Sequence, residues 1–166
     1  MKTESAWKSY DAAALEELEV VVRDYIDFIS ANKTEREFAA AAIARAREAG
    51  YVDLYDLYKE NAALKSGDKV YAQTHGKAVV LAYIGTDPLA DGMNILGAHI
   101  DSPRLDLKQN PLMERNGLAH LDTHYYGGIK HYQWVTVPLA LHGVVAKKDG
   151  SIVAVNVGED AGDPVF

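Results

Sequence analysis

A histidine and an aspartate two residues apart, His99-Ile100-Asp101, follow a short apolar run, Ile95-Leu96-Gly97-Ala98. A neutral imidazole can bind a metal through one ring nitrogen. A carboxylate beside it can hold the other N–H, fix the tautomer and raise the basicity of the ligand. Residues 94–100 are predicted to form a strand. Side chains alternate along a strand, so His99 and Asp101 are expected on one face. Pro103 restricts Ser102 and ends regular pairing there. Loops at strand ends are also where α/β sheets place their sites. A structural histidine beside an aspartate satisfies the same spacing, so both readings stand on these residues alone.

Five further histidines are candidates: His75, His120, His124, His131 and His142. His120 and His124 lie in a segment that looks extended, where a four-residue step puts both on one side. They offer a second metal site, or a metal-binding module shared with His99, against the plainer reading of surface or core-edge histidines. Tyr125, Tyr126, Tyr132 and Trp134 cluster around Gly127-Gly128 and suit a pocket wall, a strand-face core or a subunit interface. Gly127-Gly128 is not a phosphate loop, because no Lys-Ser or Lys-Thr follows and no Gly-X-Gly-X-X-Gly occurs. Ser102 lacks a Gly-X-Ser-X-Gly elbow, so an esterase triad has no support.

These residues need elements to position them. In 11–31 the apolar residues Leu15, Leu18, Val22, Tyr25, Ile26 and Ile29 recur at three- and four-residue steps, the pattern of one helix face. Thr34 and Glu37 form a capping box for a second, Ala-rich helix over 35–49, which Gly50 ends. The period then changes. Residues 69–74 and 77–84 are predicted strands joined at His75-Gly76. Residues 105–108, 118–126, 135–147 and 152–157 are predicted strands too, with Asp149-Gly150 joining the last two as a hairpin. A soft boundary falls near Pro103, with an α/β piece over 1–103 and a mainly β piece over 104–166. The final strand has no covering element after it, so another chain covers its edge or the sequence belongs to something longer.

Composition narrows the partners. Seventeen Lys and Arg against 24 Asp and Glu leave a net charge of −7, and no basic cluster marks a nucleic-acid footprint. The absence of cysteine removes disulfides, thiolate metal sites and cysteine nucleophiles. No apolar run reaches the length of a membrane span and the start does not read as a secretory signal, so a soluble cytoplasmic protein is expected.

At Gly97-Ala-His99-Ile-Asp101-Ser-Pro103 the sequence resembles the His-X-Asp-Ser-Pro segment of the M18 metalloaminopeptidases. Tyr126-Gly-Gly-Ile-Lys-His-Tyr-Gln-Trp134, followed by Pro138-Leu-Ala-Leu-His-Gly143, is similar to the family's Tyr-Gly-Gly stretch. Lys33-Thr-Glu-Arg-Glu37 is similar to the second helix of one bacterial branch. The resemblance implies a zinc-dependent, two-metal exopeptidase that removes the N-terminal residue of a peptide substrate. It implies an α/β catalytic domain and an inserted β-rich domain that drives homo-oligomer assembly. His99 is then a metal ligand, and Asp101 its orienter on the catalytic side. The family's other ligands lie beyond the position that matches Phe166, so the chain corresponds to an N-terminal portion, expected to be inactive alone. The alternative is a non-catalytic scaffold or oligomerisation module that keeps the fold without the chemistry.

Overall fold

The structure is a computed structural model that describes residues 5–166. The chain forms two compact units, Met1–Pro88 and Leu89–Phe166.

The first unit is α/β. Helix α1, Ala12–Ala31, begins where Asp11 accepts a hydrogen bond from the Ala14 amide. Helix α2, Glu35–Glu48, begins at the predicted capping box: the Thr34 amide donates to Glu37 at 2.9 Å, and the Glu37 amide to the Thr34 hydroxyl at 3.3 Å. Gly50 takes the left-handed conformation, φ +86°, that ends the helix without a Cβ penalty. Strand β1, Val52–Asp53, leads into the short helix α3, Leu54–Lys59. Strand β2, Lys69–Thr74, and strand β3, Ala78–Tyr83, form the predicted hairpin. His75 and Gly76 both have positive φ, as a type I′ turn requires. The sheet order is β1-β2-β3, with β1 parallel to β2 and β3 antiparallel to it.

The core of this unit is small. Ala39, Ile43 and Ala46 lie one turn apart on α2 and are buried together with Val70 and Tyr71 of β2. The alanines let the helix approach the sheet closely. Arg47 closes the core by donating to the Tyr71 hydroxyl at 2.9 Å, so the buried phenol is satisfied.

Helix α1 forms as predicted, but it buries none of its residues. Its apolar face remains open because the described residues set little against it: Phe28 meets Phe38 edge-on at 5.0 Å, and Asp24 takes a bidentate pair from Arg45 at 2.7 and 2.8 Å.

The second unit consists of two hairpins and connecting segments. Strand β4, Arg104–Arg115, pairs antiparallel with β5, Leu118–Tyr126, and β6, Leu141–Ala146, with β7, Ile152–Val157. Strand β4 runs well past the predicted 105–108. The missed signal is Asn116-Gly117, both at positive φ, a strong two-residue hairpin turn. Pro111 sits where the register slips between Leu107 and Leu112, which is how a strand tolerates a residue without an N–H. The strand predicted over 135–147 is shorter because a single helical turn, α4, His131–Trp134, and Pro138 precede it. The Asp149-Gly150 hairpin forms as predicted: the Lys147 amide donates to the Ser151 carbonyl at 2.8 Å.

The strand predicted over 94–100 is corrected. The segment pairs with nothing among the described residues, and Ile95 and Leu96 lie exposed. An apolar sequence supplies the preference for a strand, but a strand exists only with a neighbour to complete its ladder.

Arg45 holds the Asp24 carboxyl below its ordinary pKa, chiefly through their hydrogen bond. A depressed carboxylate contributes stability above its unfolded pKa of about 3.9, and that contribution is lost as pH falls through the folded value. Asp24→Asn is therefore expected to lower the melting temperature at neutral pH and to flatten its fall in acid. Parallel acid profiles for the two proteins would contradict this.

Candidate metal-ligand site

His99 and Asp101 meet although no strand carries them. The His99 Nδ1 lies 3.0 Å from Asp101 Oδ1 and 3.0 Å from the Asp101 carbonyl oxygen. An ionised carboxylate and a carbonyl are acceptors only, so Nδ1 must carry the hydrogen. In the neutral ring this leaves the lone pair on Nε2. The His99 side chain is 81% exposed, so that nitrogen is open to an incoming cation.

The Asp101 carboxyl is held below its ordinary pKa. Its own backbone amide contributes most. Partial burial opposes the shift, and hydrogen bonds from the His99 ring and the Tyr126 hydroxyl reinforce it, with the His99 charge adding least. The carboxylate is thus ionised at neutral pH, the state that orients an imidazole.

Strand register brings the supporting groups to the same place. Tyr126, the last residue of β5, lies opposite Arg104, the first of β4. The Arg104 guanidinium sits 4.0 Å from the Tyr126 ring centroid, and its Nε donates to Asp106 at 2.6 Å. Gly127 follows with φ +73°, and a Cβ there would stand 3.4 Å from the Pro103 backbone. The Tyr-Gly pair therefore lets the end of β5 pass close beside the residue that follows Asp101-Ser102.

The remaining histidines do not join this pair. His120 and His124 share one side of β5, as the extended spacing predicts, opposite Met113 and Asp106. His124 Nδ1 donates to the Tyr125 carbonyl at 3.2 Å. His131 packs on the Tyr125 ring at 4.8 Å, and His75 occupies a turn. His142, the one deeply covered imidazole among them, pairs with Glu159 at 2.8 Å. No group of three His, Cys, Asp or Glu able to hold a metal occurs among the described residues. The module expected from His99 with His120 or His124 therefore lacks a donor cluster. A protein zinc site takes four donors, or three and a water. The residues present fit one ligand and its orienter, and not a complete site.

The family model described as "Aminopeptidase I zinc metalloprotease (M18)" matches residues 28–166. The chain belongs to the M18 aminopeptidase family. It is 56% identical over 162 residues to a probable M18 family aminopeptidase 1 of Clostridium acetobutylicum, covering 98% of this chain and 35% of that protein. Among solved structures it is similar to aminopeptidase I from Borrelia burgdorferi B31, with a TM-score of 0.89 and 40% identity, covering 98% of this chain and 39% of that one. It is also similar to aminopeptidase I from Clostridium acetobutylicum, with a TM-score of 0.83 and 52% identity, covering 99% of this chain and 36% of that one. The chain spans about a third of the length of the curated relatives it matches.

One donor nitrogen holds zinc only weakly. The 166-residue chain is expected to retain no stoichiometric zinc after dialysis against metal-free buffer, as read by atomic absorption. One equivalent retained by the parent and lost in His99→Ala would show that this chain builds a whole site.

Proposed function

We propose that this chain is the N-terminal third of a zinc-dependent aminopeptidase that releases N-terminal residues from peptides. The observation that carries the reading is the His99–Asp101 pair, an Nδ1-anchored imidazole with an open Nε2, in a chain of the M18 family. In this reading His99 Nε2 is a ligand to one of two divalent metals. Asp101 fixes the ring and makes it a better donor. Bound zinc would polarise a peptide carbonyl and lower the pKa of a bound water. This chain's part is to present the imidazole already oriented; the other donors belong to the remainder of the protein.

The domain reading follows the same lines. Residues 1–103 belong to the α/β catalytic domain, and 104–166 open the β-rich inserted domain that drives homo-oligomer assembly. Two features support this. The segment 94–100 has the composition of a buried strand but pairs with no strand among the described residues, and the described residues of the second unit include no buried one. Two-stranded hairpins are marginal alone and gain stability when an apolar face is covered. Exposed Leu112, Leu118, Val145 and Ile152 are such faces. No described helix is long and apolar enough to cross a membrane.

The test uses the complete protein, with this segment in place. Asp101→Asn is expected to lower peptide release by roughly 10- to 100-fold, the usual cost of removing a ligand's orienter, and His99→Ala to lower it further. Zinc content should fall in both variants. Unchanged turnover and zinc content in His99→Ala would reject the metal-ligand reading. An assembled wild-type protein without peptidase activity would favour the scaffold alternative.

A further inference from the structure

The turn that closes the long hairpin carries chemistry of its own. Asn116-Gly117 is the one Asn-Gly step in the sequence. Such a step can modify itself, because glycine has no side chain to shield its amide nitrogen. That nitrogen attacks the asparagine side-chain carbon and a C–N bond forms. The side-chain amide leaves as ammonia, taking the proton of the attacking nitrogen. Water then opens the resulting succinimide at either carbonyl and gives aspartate or isoaspartate. Both turn residues are exposed, with φ of +56° at Asn116 and +76° at Gly117. Arg115 pairs with Leu118, so the two residues between them lie outside the ladder. The Gly117 amide donates instead to Glu114 Oε1 at 2.7 Å. The other hairpin is built differently: there the Gly150 amide donates to the main-chain carbonyl of Lys147 at 3.0 Å. At Asn116-Gly117 a side chain therefore holds the nucleophile, through the very proton the nucleophile must lose.

We propose that Asn116 is a site of spontaneous deamidation and that the Glu114 carboxylate is the clasp that slows it in the folded protein. Ring closure needs the Gly117 nitrogen to give up its proton and swing onto the Asn116 side-chain carbon. The clasp opposes both. A hydrogen bond to a carboxylate is stronger than one between neutral groups, and it fixes the peptide plane between Asn116 and Gly117. A negative charge beside the nitrogen also disfavours the amide anion that attacks. The product undoes the turn. A carboxylate now stands near Glu114 where a neutral amide stood, and the isoaspartate form adds a methylene to the main chain of a two-residue turn that sets the strand register. The ammonia is not returned, so the change accumulates with the age of the molecule and loosens the far end of the β4–β5 hairpin. No metal takes part, and the proposal is independent of the role of His99.

The test ages the complete protein in mildly alkaline buffer. Peptide mass spectrometry then reads the aspartate and isoaspartate shares at position 116. The same protein unfolded in guanidinium chloride sets the rate without the clasp. The folded wild type is expected to convert more slowly than the unfolded chain. Folded Glu114→Ala is expected to convert roughly tenfold faster than the wild type, the factor that corresponds to losing a hydrogen bond to a charged group. Glu114→Gln keeps an acceptor oxygen without the charge and should fall between the two. All three should convert alike when unfolded. Arg115→Ala, at the same turn, is the control and should stay at the wild-type rate. Amide hydrogen exchange across β4 and β5 shows whether each variant keeps its hairpin. If Glu114→Ala has lost it, Glu114→Gln decides, and its rate must exceed that of the wild type. A folded wild type that converts as fast as the unfolded chain overturns the proposal. So does a Glu114→Ala rate equal to the wild type, or a slower one, which would make Glu114 a base that assists the attack.

Discussion

In the function proposed for this chain, the hydrogen bond from His99 Nδ1 to the Asp101 carboxylate is the contact on which the metal chemistry depends. Together with the Asp101 main-chain carbonyl, also 3.0 Å from Nδ1, it keeps the proton on that nitrogen and leaves Nε2 to donate to a cation. At 3.0 Å it is an ordinary length for an N–H···O bond. Its value lies in direction more than in strength, because the ring is largely exposed and a hydrogen bond open to water stabilises little. A histidine free to rotate would present either nitrogen to a metal; one tied to a carboxylate presents a single nitrogen along a single line.

The rest of the second unit makes sense as support for that contact. Strand β4 begins one residue after Pro103, and β5 ends at Tyr126 directly opposite. The long hairpin thus returns to its starting point and delivers a phenol, a guanidinium and a glycine beside the 101–103 segment. The first unit is organised differently, with a core around α2 and β2 that it builds from its own residues. The contrast is physical: the first unit buries apolar side chains between a helix and a sheet, whereas each hairpin of the second has only its own two strands. An apolar strand face without a covering layer gains little from the hydrophobic effect.

Much of this was legible in the sequence where the signal is local. The Thr34/Glu37 capping box, the His75-Gly76 turn and the Asp149-Gly150 hairpin each follow from a few adjacent residues, and each appears as expected. The His99–Asp101 contact was legible too, although the strand expected to carry it over 94–100 does not form. The two side chains are close enough in sequence to meet in an extended segment with or without a ladder. What depends on distant partners was not legible. The apolar stripe of α1 reads as a core face yet stays open, because sequence periodicity says which face seeks cover and not whether cover is present. The Asn116-Gly117 turn is hidden because Pro111 interrupts the apparent strand before it. The pairing of Tyr126 with Arg104 joins residues far apart in the chain, and it follows from a register that only the paired strands reveal.

The central claim is that His99 offers Nε2, and only Nε2, to a metal. Anomalous diffraction at the zinc absorption edge from crystals of the complete zinc-loaded protein tests it most directly. The expected result is a zinc ion at a bonding distance of about 2.0–2.1 Å from His99 Nε2, with Asp101 still on Nδ1. Zinc bound through other residues with the His99 ring unliganded, or coordinated through Nδ1, would contradict it.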